Sequence, residues 1–177
     1  RGATNTYSGT TSMQGGRLKC RRQVSLYDSS PIDWTPAKIT VDSGAILGLN
    51  VGGTGEFTGL DVETLIANLT TISNNGLKAG SSLGLNVTVD SAVSTPLTDS
   101  TGFNGGAVSL VKSGAAKLTM MAANTYSGNT TVSAGTLQLD ADNTANNGST
   151  VTIASTGATL ALNFGGSYWK DEYPGAV

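Results

Sequence analysis

The chain has 177 residues, a net charge of −2 and a pI of about 4.9, and only 12% of its residues are charged against an ordinary ~25%. With no excess of cations, nucleic-acid binding is not expected. One Cys and no His exclude an internal disulfide, a His-based catalytic triad and a Cys/His zinc site.

The remaining composition points to β-structure. Glycine is abundant at 24 residues and proline scarce at 4. Roughly a third of the chain is Ser, Thr and Asn, well above ordinary usage. Such uncharged polarity suits hydroxyl- and amide-covered strands better than helices rich in Lys and Glu. Disorder is the competing reading, and regular Leu/Val/Ile spacing with low net charge argues against it. No apolar run is long enough to cross a membrane as a helix. Arg1 opens directly into polar sequence, so no signal peptide is read here, and a leader would have been removed or lie outside the sequence.

In chain order, Asn5-Thr6-Tyr7-Ser8-Gly9 comes first, followed by Leu18 and Cys20 alternating with Arg17, Lys19 and Arg21. That alternation predicts a strand with one apolar and one charged face. Arg17, Lys19, Arg21 and Arg22 read either as an anion-binding stripe or as the solvated face of that strand. Cys20 reads as a small buried apolar residue, since no His is available to activate it. Pro31 and Pro36 make residues 27–38 a loop. Trp34 within it reads as a core cover, with an exposed stacking platform as the alternative. Ile39-Thr40-Val41 and the block Gly44 to Gly53 are the next strands.

Thr58 to Leu69 is the helix candidate. Leu65, Ile66 and Leu69 share a face, and Thr58 with Asp61 or Glu63 supplies the N-terminal cap. The helix is expected to lie across the flank of the strands. Asn74-Asn75-Gly76 turns the chain. Strands are predicted at Val87-Thr88-Val89, Val108 to Val111 and Lys117 to Met120, with turns at Gly105-Gly106 and Ser113-Gly114. The tail from Ser167 to Val177 is aromatic and charged, as an end cap or junction would be.

Internal echoes then organise these pieces. Asn5 to Cys20 aligns without a gap on Asn124 to Leu139, at an offset of 119 (124 − 5), with Asn-Thr-Tyr-Ser-Gly identical and Leu18 on Leu137. Gly44 to Gly53 aligns on Gly157 to Gly166 at an offset of 113 (157 − 44). Leu-Gly-Leu-Asn-Val recurs at Leu47 and Leu83, an offset of 36 (83 − 47). Short strands, Gly/Asn/Ser turns and long-range echoes predict an all-β chain, a right-handed parallel β-helix (β-solenoid) with one short flanking helix near 59–69. A β-sandwich is the alternative. Inward Leu, Val and Ile would form ladders, and Asn50, Asn86 and Asn163 would stack from coil to coil at a bend. At roughly 20–25 residues per coil, seven or eight coils are expected. Residues 1–177 are expected to form one solenoid domain, with repeat copies over 3–53 and 106–166, a helical insert over 54–78 and the tail over 167–177.

The string from Lys112 to Leu139, with Lys-Ser-Gly-Ala-Ala-Lys-Leu-Thr-Met and Ala-Asn-Thr-Tyr-Ser-Gly-Asn-Thr-Thr-Val-Ser-Ala-Gly-Thr-Leu-Gln-Leu, resembles the autotransporter-associated β-strand repeat, also called the passenger-associated transport repeat. Residues 3–20 resemble it as well. The resemblance implies a secreted β-solenoid in the passenger region of a bacterial surface protein, and it carries no catalytic residues. The sequence departs from the pattern at Ala116 to Met120 and at Gly16 to Cys20, where Gly-Thr-Leu-x-Leu is usual. The strand expected before Asn5, the counterpart of Lys117 to Met120, is missing, and no outer-membrane barrel is expected within the chain.

Reactive chemistry is thinly represented. Gly52-Gly53-Thr54-Gly55 starts like a calcium-roll nonapeptide, but Phe57 stands where an Asp is required and the motif occurs once. It lacks the final Gly of a dinucleotide fingerprint. Asp140 and Asp142 read as turn residues before they read as a carboxylate pair. Sequons at Asn68, Asn86, Asn129 and Asn147 are attributed to the Ser/Thr-rich composition. The sequence therefore names no catalytic, cofactor-binding or metal-binding residue. It predicts a non-enzymatic extracellular module at the cell surface, a passenger segment or a surface-fibre subunit. Expected partners are further copies head to tail or neighbouring solenoid repeats, with a surface glycan as another, and neither nucleic acid nor membrane insertion. The alternatives are an adhesin or carbohydrate-binding β-helix and, behind it, a polysaccharide-degrading enzyme.

Overall fold

Period-two patterning in short runs, each closed by a turn residue, winds this chain into a parallel β-solenoid. The structure, a computed structural model, describes residues 7–70, 76–141 and 149–163. The Asn74-Asn75 turn, Asp142, Asn147 and the tail from Ser167 lie outside the described residues. The strands are β1 (Thr11–Met13), β2 (Arg17–Cys20), β3 (Ile39–Val41), β4 (Ile46–Val51), β5 (Ser82–Val87) and β6 (Ser91–Val93). They continue as β7 (Ser109–Ser113), β8 (Leu118–Met120), β9 (Thr130–Val132), β10 (Thr136–Leu139), β11 (Val151–Ile153) and β12 (Thr159–Leu162). The helix α1 (Gly59–Leu69) falls between β4 and β5.

Among the described residues three sheets form, ordered β1-β3, β2-β4-β5-β7-β9-β11 and β6-β8-β10-β12. Every strand pairing is parallel. A β-sandwich needs antiparallel neighbours, and the one antiparallel contact among the described residues is an isolated bridge from Ser100 to Gly106. The sandwich alternative is thereby overturned.

The long sheet has six strands among the described residues, which corrects the expected seven or eight coils. Its early steps are long. Arg17 pairs Ile46, 29 residues on (46 − 17), and Ile46 pairs Ser82, 36 on (82 − 46). Later steps are short: Leu110 pairs Thr130, 20 on (130 − 110), and Thr130 pairs Val151, 21 on (151 − 130). The long coils carry the loop over residues 23–38 and α1 as excursions. The echo at offset 36 is a direct stacking: Leu47 lies on Leu83, Leu49 on Leu85 and Asn50 on Asn86.

Inward positions line up at the ~4.8 Å strand spacing. One column runs Leu18, Leu47, Leu83, Leu110, Thr130 and Val151, and the next runs Cys20, Leu49, Leu85, Lys112, Val132 and Ile153. Burying each Leu or Val contributes roughly 1.5–3 kcal/mol relative to exposure, so the columns drive coil stacking. At the far end the columns open. Ile153 is 46% exposed and Leu162 52% exposed, although both hold inward places.

The strand expected over Val87-Thr88-Val89 is corrected. Val87 ends β5, Val89 is exposed, and β6, which was not anticipated, follows at Ser91. The alternation of Val87 and Val89 spans the corner where the chain passes from one sheet to the next, so periodicity alone could not mark the bend.

Helix α1 forms as predicted. The Thr58 hydroxyl accepts from Asp61 N at 3.2 Å, and the Asp61 carboxylate accepts from Thr58 N at 2.7 Å, a reciprocal capping box. Glu63 does other work, accepting from Ser94 N at 2.5 Å just beyond β6. Val62 joins Leu65, Ile66 and Leu69 on the buried face. A Cβ at Gly59 would stand 2.1 Å from the Ala92 carbonyl oxygen, so the helix seats its first turn directly on β6. It thereby covers the free edge of the four-stranded sheet, where an exposed strand would invite foreign pairing.

Trp34 is fully buried, 5.6 Å from Phe57 centroid to centroid, and its indole N–H donates to the Leu26 carbonyl at 3.0 Å. It is the core cover that the sequence suggested. In the same loop Tyr27, Asp28 and Ser29 have φ of 52°, 52° and 62°. Three left-handed residues without glycine cost roughly 1–2 kcal/mol each. The Tyr27 hydroxyl, within 3.0 Å of Thr11 Oγ1 and 2.9 Å of the Gly9 and Lys38 carbonyls, fixes the turn against the first coil.

Candidate functional site

The duplicated stretch is the place where the chain joins coil to coil, and copy two shows how each of its residues serves that joint. Asn124 is buried. Its Oδ1 accepts from Leu97 N at 2.8 Å, while Thr125 N donates to the Leu97 carbonyl at 3.0 Å, so the pair grips the preceding coil. The Tyr126 ring is buried with its hydroxyl 2.6 Å from Thr130 Oγ1, and burial raises the phenol's pKa. Ser127 donates to Asp99 from its N–H at 2.8 Å and its hydroxyl at 2.6 Å. Gly128 donates to the Val108 carbonyl, and a Cβ there would stand 2.3 Å from that oxygen. Gly135 has φ 61° and would place a Cβ 2.5 Å from the Gly114 carbonyl oxygen. A side chain fits neither glycine.

Copy one reproduces the local geometry, and among the described residues no coil packs before it. Asn5 and Thr6 lie outside the described residues. Tyr7 Oη is 2.5 Å from Thr11 Oγ1, as Tyr126 is from Thr130, but its ring is part-exposed and packs on Tyr27 at 4.7 Å. Gly9 and Gly16, the counterparts of Gly128 and Gly135, have nothing within 4 Å of a built Cβ. The strands match at the same offset, β1 with β9 and β2 with β10, yet the two copies occupy different sides of the solenoid. Copy one puts its strands in the two-stranded and six-stranded sheets, and copy two in the six-stranded and four-stranded sheets.

Residues 1–19 and 110–139 match the passenger-associated-transport-repeat family. Those two segments are similar to the passenger-associated transport repeat. Neither a curated protein nor a solved structure matches the chain. The second repeat spans β7 to β10, and so takes in a residue that sequence reasoning passed over. Lys112 lies on the inward column between Leu85 and Val132 and is fully buried. Its Nζ donates to the carbonyls of Ser113, Gly114 and Ala134 at 3.0, 2.8 and 3.0 Å. Burial pulls its pKa down to about 8, against the field of Asp90, which raises it. The ammonium thus stitches the corner after β7 to the corner after β9. The signal was available: an inward Leu110 makes Lys112 inward at period two.

The other sequence candidates take structural places. Cys20 is buried in register with Leu49, and burial raises its thiol pKa. Asn50 and Asn86 do stack, with Asn86 Nδ2 donating to Asn50 Oδ1 at 3.1 Å, but near the ends of β4 and β5 and not at a bend. Asn163 does not join them. It follows β12 in the four-stranded sheet and donates to Asp140 Oδ1 at 3.0 Å. Gln138 donates to the same oxygen at 2.6 Å, and these two bonds hold the Asp140 carboxyl below its usual range. Asp140 therefore links two coils, and its proposed partner Asp142 lies outside the described residues. The Gly52 to Gly55 turn is organised by Glu56, which accepts from Asn50, Gly53 N and Thr88 at 2.9, 3.0 and 2.5 Å. Burial raises the Glu56 pKa, and those bonds with the nearby Arg22 charge outweigh it, leaving a net lowering. Asn129 accepts from Thr150 N at 3.0 Å, another coil-to-coil bond. Among the described residues no three His, Cys, Asp or Glu cluster as a metal site would need, and no helix is long and apolar enough to cross a membrane.

Proposed function

We propose that this protein is a non-enzymatic structural module of an extracellular bacterial surface protein, a passenger segment or surface-fibre subunit that stacks end to end with further solenoid coils. One observation carries the reading: in copy two the repeat's own residues make a coil-to-coil joint. Asn124 and Ser127 bond Leu97 and Asp99, and Gly128 sits against the Val108 carbonyl, leaving no room for a side chain. A further coil would dock by the same devices, parallel strand pairing and apolar columns in register. The coil comes from a second copy or from a longer solenoid, and the surfaces are the same in either case.

Electron microscopy and light scattering of the purified protein at increasing concentration test the self-stacking form. Fibres or linear oligomers whose formation is blocked by Gly9→Val support it. A monodisperse monomer at millimolar concentration, without fibres, sinks it.

A further inference from the structure

We propose that the outer face of the six-stranded sheet, around β2, β4 and β5, binds a linear anionic polysaccharide bearing carboxylate or sulfate groups. Three independent observations meet there. The first is charge. Four of the chain's ten Lys and Arg residues, Arg17, Lys19, Arg21 and Arg22, fall within six residues of an otherwise acidic protein. All four are exposed. The ion pairs among the described residues, Lys38 with Asp33 and Lys78 with Asp42, involve none of them, although the Arg22 charge acts on the nearby Glu56 carboxylate. Exposed cations in so tight a group create a local field that reaches about a Debye length, ~8 Å at physiological salt.

The second is the comparison of the two repeats. The outward positions of β2 and its extension are Arg17, Lys19 and Arg21, and the aligned positions of β10 are Thr136, Gln138 and Asp140. The inward positions stay apolar in both. The strand forms equally well with neutral or acidic outward residues, so the cations are not a requirement of the fold. Protection of an edge strand by charge is the plainer explanation. It does not fit, because the other terminal strands, β1, β3, β6, β11 and β12, carry no charged residue.

The third is shape. Lys19, Gly48, Gly84 and Val111 are register partners across four strands, about 14 Å at the usual strand spacing. The two glycines, both buried, carry no side chain and lie beneath a shallow dent in the sheet face. Arg17 and Lys19 flank one end of it, and Asn86 and Ser113 the other. The Asn86 amide sits in a ladder with Asn50 and Ser113, at 3.1 and 3.4 Å. Such a row of amides and hydroxyls beside a shallow hollow matches the hydroxyl-rich faces of sugars, while the cations match their acidic substituents. Single-stranded nucleic acid would also be drawn to the cations, but it binds by stacking bases on aromatic rings. Among the described residues no aromatic side chain lines the hollow. A coil paired to the edge of β2 would leave this outer face open, so the site is independent of end-to-end stacking.

The test is titration of the intact protein with alginate oligomers, dextran sulfate, neutral dextran and single-stranded DNA at low and at physiological salt. Alginate or dextran sulfate is expected to bind, with affinity falling steeply as salt rises. R17Q/K19Q should weaken binding at least tenfold and R21Q/R22Q several-fold. K78Q, far in sequence and already ion-paired, should leave it unchanged. Gly84→Ala, which narrows the hollow without altering charge, should also weaken binding. The proposal is overturned if neither anionic polymer binds, if K78Q weakens binding as much as R17Q/K19Q, or if neutral dextran or DNA binds as tightly.

Discussion

The repeated motif is described over Tyr7 to Cys20 and again over Tyr126 to Leu139, and among the described residues only the second packs against a coil before it. Local structure is identical in kind: a Tyr hydroxyl reaches a Thr four residues on, and two short strands follow at matching positions. What differs is everything that depends on a neighbour. In copy two Asn124, Ser127, Gly128 and Gly135 press on the chain before them, and in copy one Gly9 and Gly16 press on nothing. The motif therefore encodes two separable things, a corner that folds by itself and a surface that accepts another coil. The copies also sit on different sides of the solenoid, so the corner is not tied to one sheet.

The sharpest way to break the comparison is at its glycines. Gly128→Ala places a Cβ 2.3 Å from the Val108 carbonyl oxygen and 2.5 Å from its carbon, both backbone atoms. Overpacking against backbone of this kind costs about 2–3 kcal/mol. Gly9→Ala meets open space and should change stability by no more than about 0.5 kcal/mol. Urea unfolding of the two variants measures the difference, and equal losses would mean that the copies are not energetically distinct.

Lys112 offers the next largest effect. Its ammonium bonds Ala134 in copy two, where the aligned residue of copy one is Gly15. Lys112→Met would leave three corner carbonyls without their donor, an expected loss of about 2 kcal/mol at pH 7. The wild type adds a pH signature. A lysine with a folded pKa of about 8, against an ordinary 10.5, holds fewer protons folded than unfolded between those values. Stability therefore rises as pH climbs from about 8 towards 10.5, and this group contributes no slope below that window. Thermal unfolding at pH 7.5 and 9.5 should show the rise in wild type and its absence in Lys112→Met.

Much of this was legible in the sequence, because a solenoid repeats its instructions. The echo at offset 36 is a pair of stacked strands, and the helix at 59–69 follows from Thr58, Asp61 and the apolar face. Three things were hidden for physical reasons. Coil number was hidden because excursions are free to bulge from a solenoid while the register of its strands is kept. The corner at Thr88 was hidden because alternation reads the same through a bend. The different fates of Asn86 and Asn163, one stacked on Asn50 and the other paired with Asp140, depend on which sheet each strand joins. That choice is made by the whole winding and not by the local string.

Hydroxyl deletion gives a smaller and cleaner contrast. Tyr126→Phe keeps a buried ring and removes its bond to Thr130, a loss of about 1 kcal/mol. Tyr7→Phe removes the equivalent bond at a part-exposed ring, where water can replace it. Its expected loss is about half as large. Denaturant midpoints of the two variants should differ in that order, and a reversed order would show that Tyr7 carries more of the first coil than its exposure implies.

The smallest effect should come from Asp140, whose position in copy one is held by Arg21. Gln138 and Asn163 donate to this carboxylate and keep its pKa below the usual carboxyl value. A carboxylate depressed on folding contributes stability above its unfolded pKa and loses it as pH falls through the folded value. Asp140→Asn should therefore lower the unfolding midpoint slightly at pH 6, with the gap from wild type closing as pH falls below about 3.8, the ordinary carboxyl pKa. Arg21→Gln has no coil-to-coil carboxylate to lose and should show no pH-dependent gap in that range. If the two variants behave alike, the outward row of the repeat is solvated surface in both copies. If they differ as expected, copy two uses that row to tie its coils together, and copy one leaves the same row available to something outside the chain.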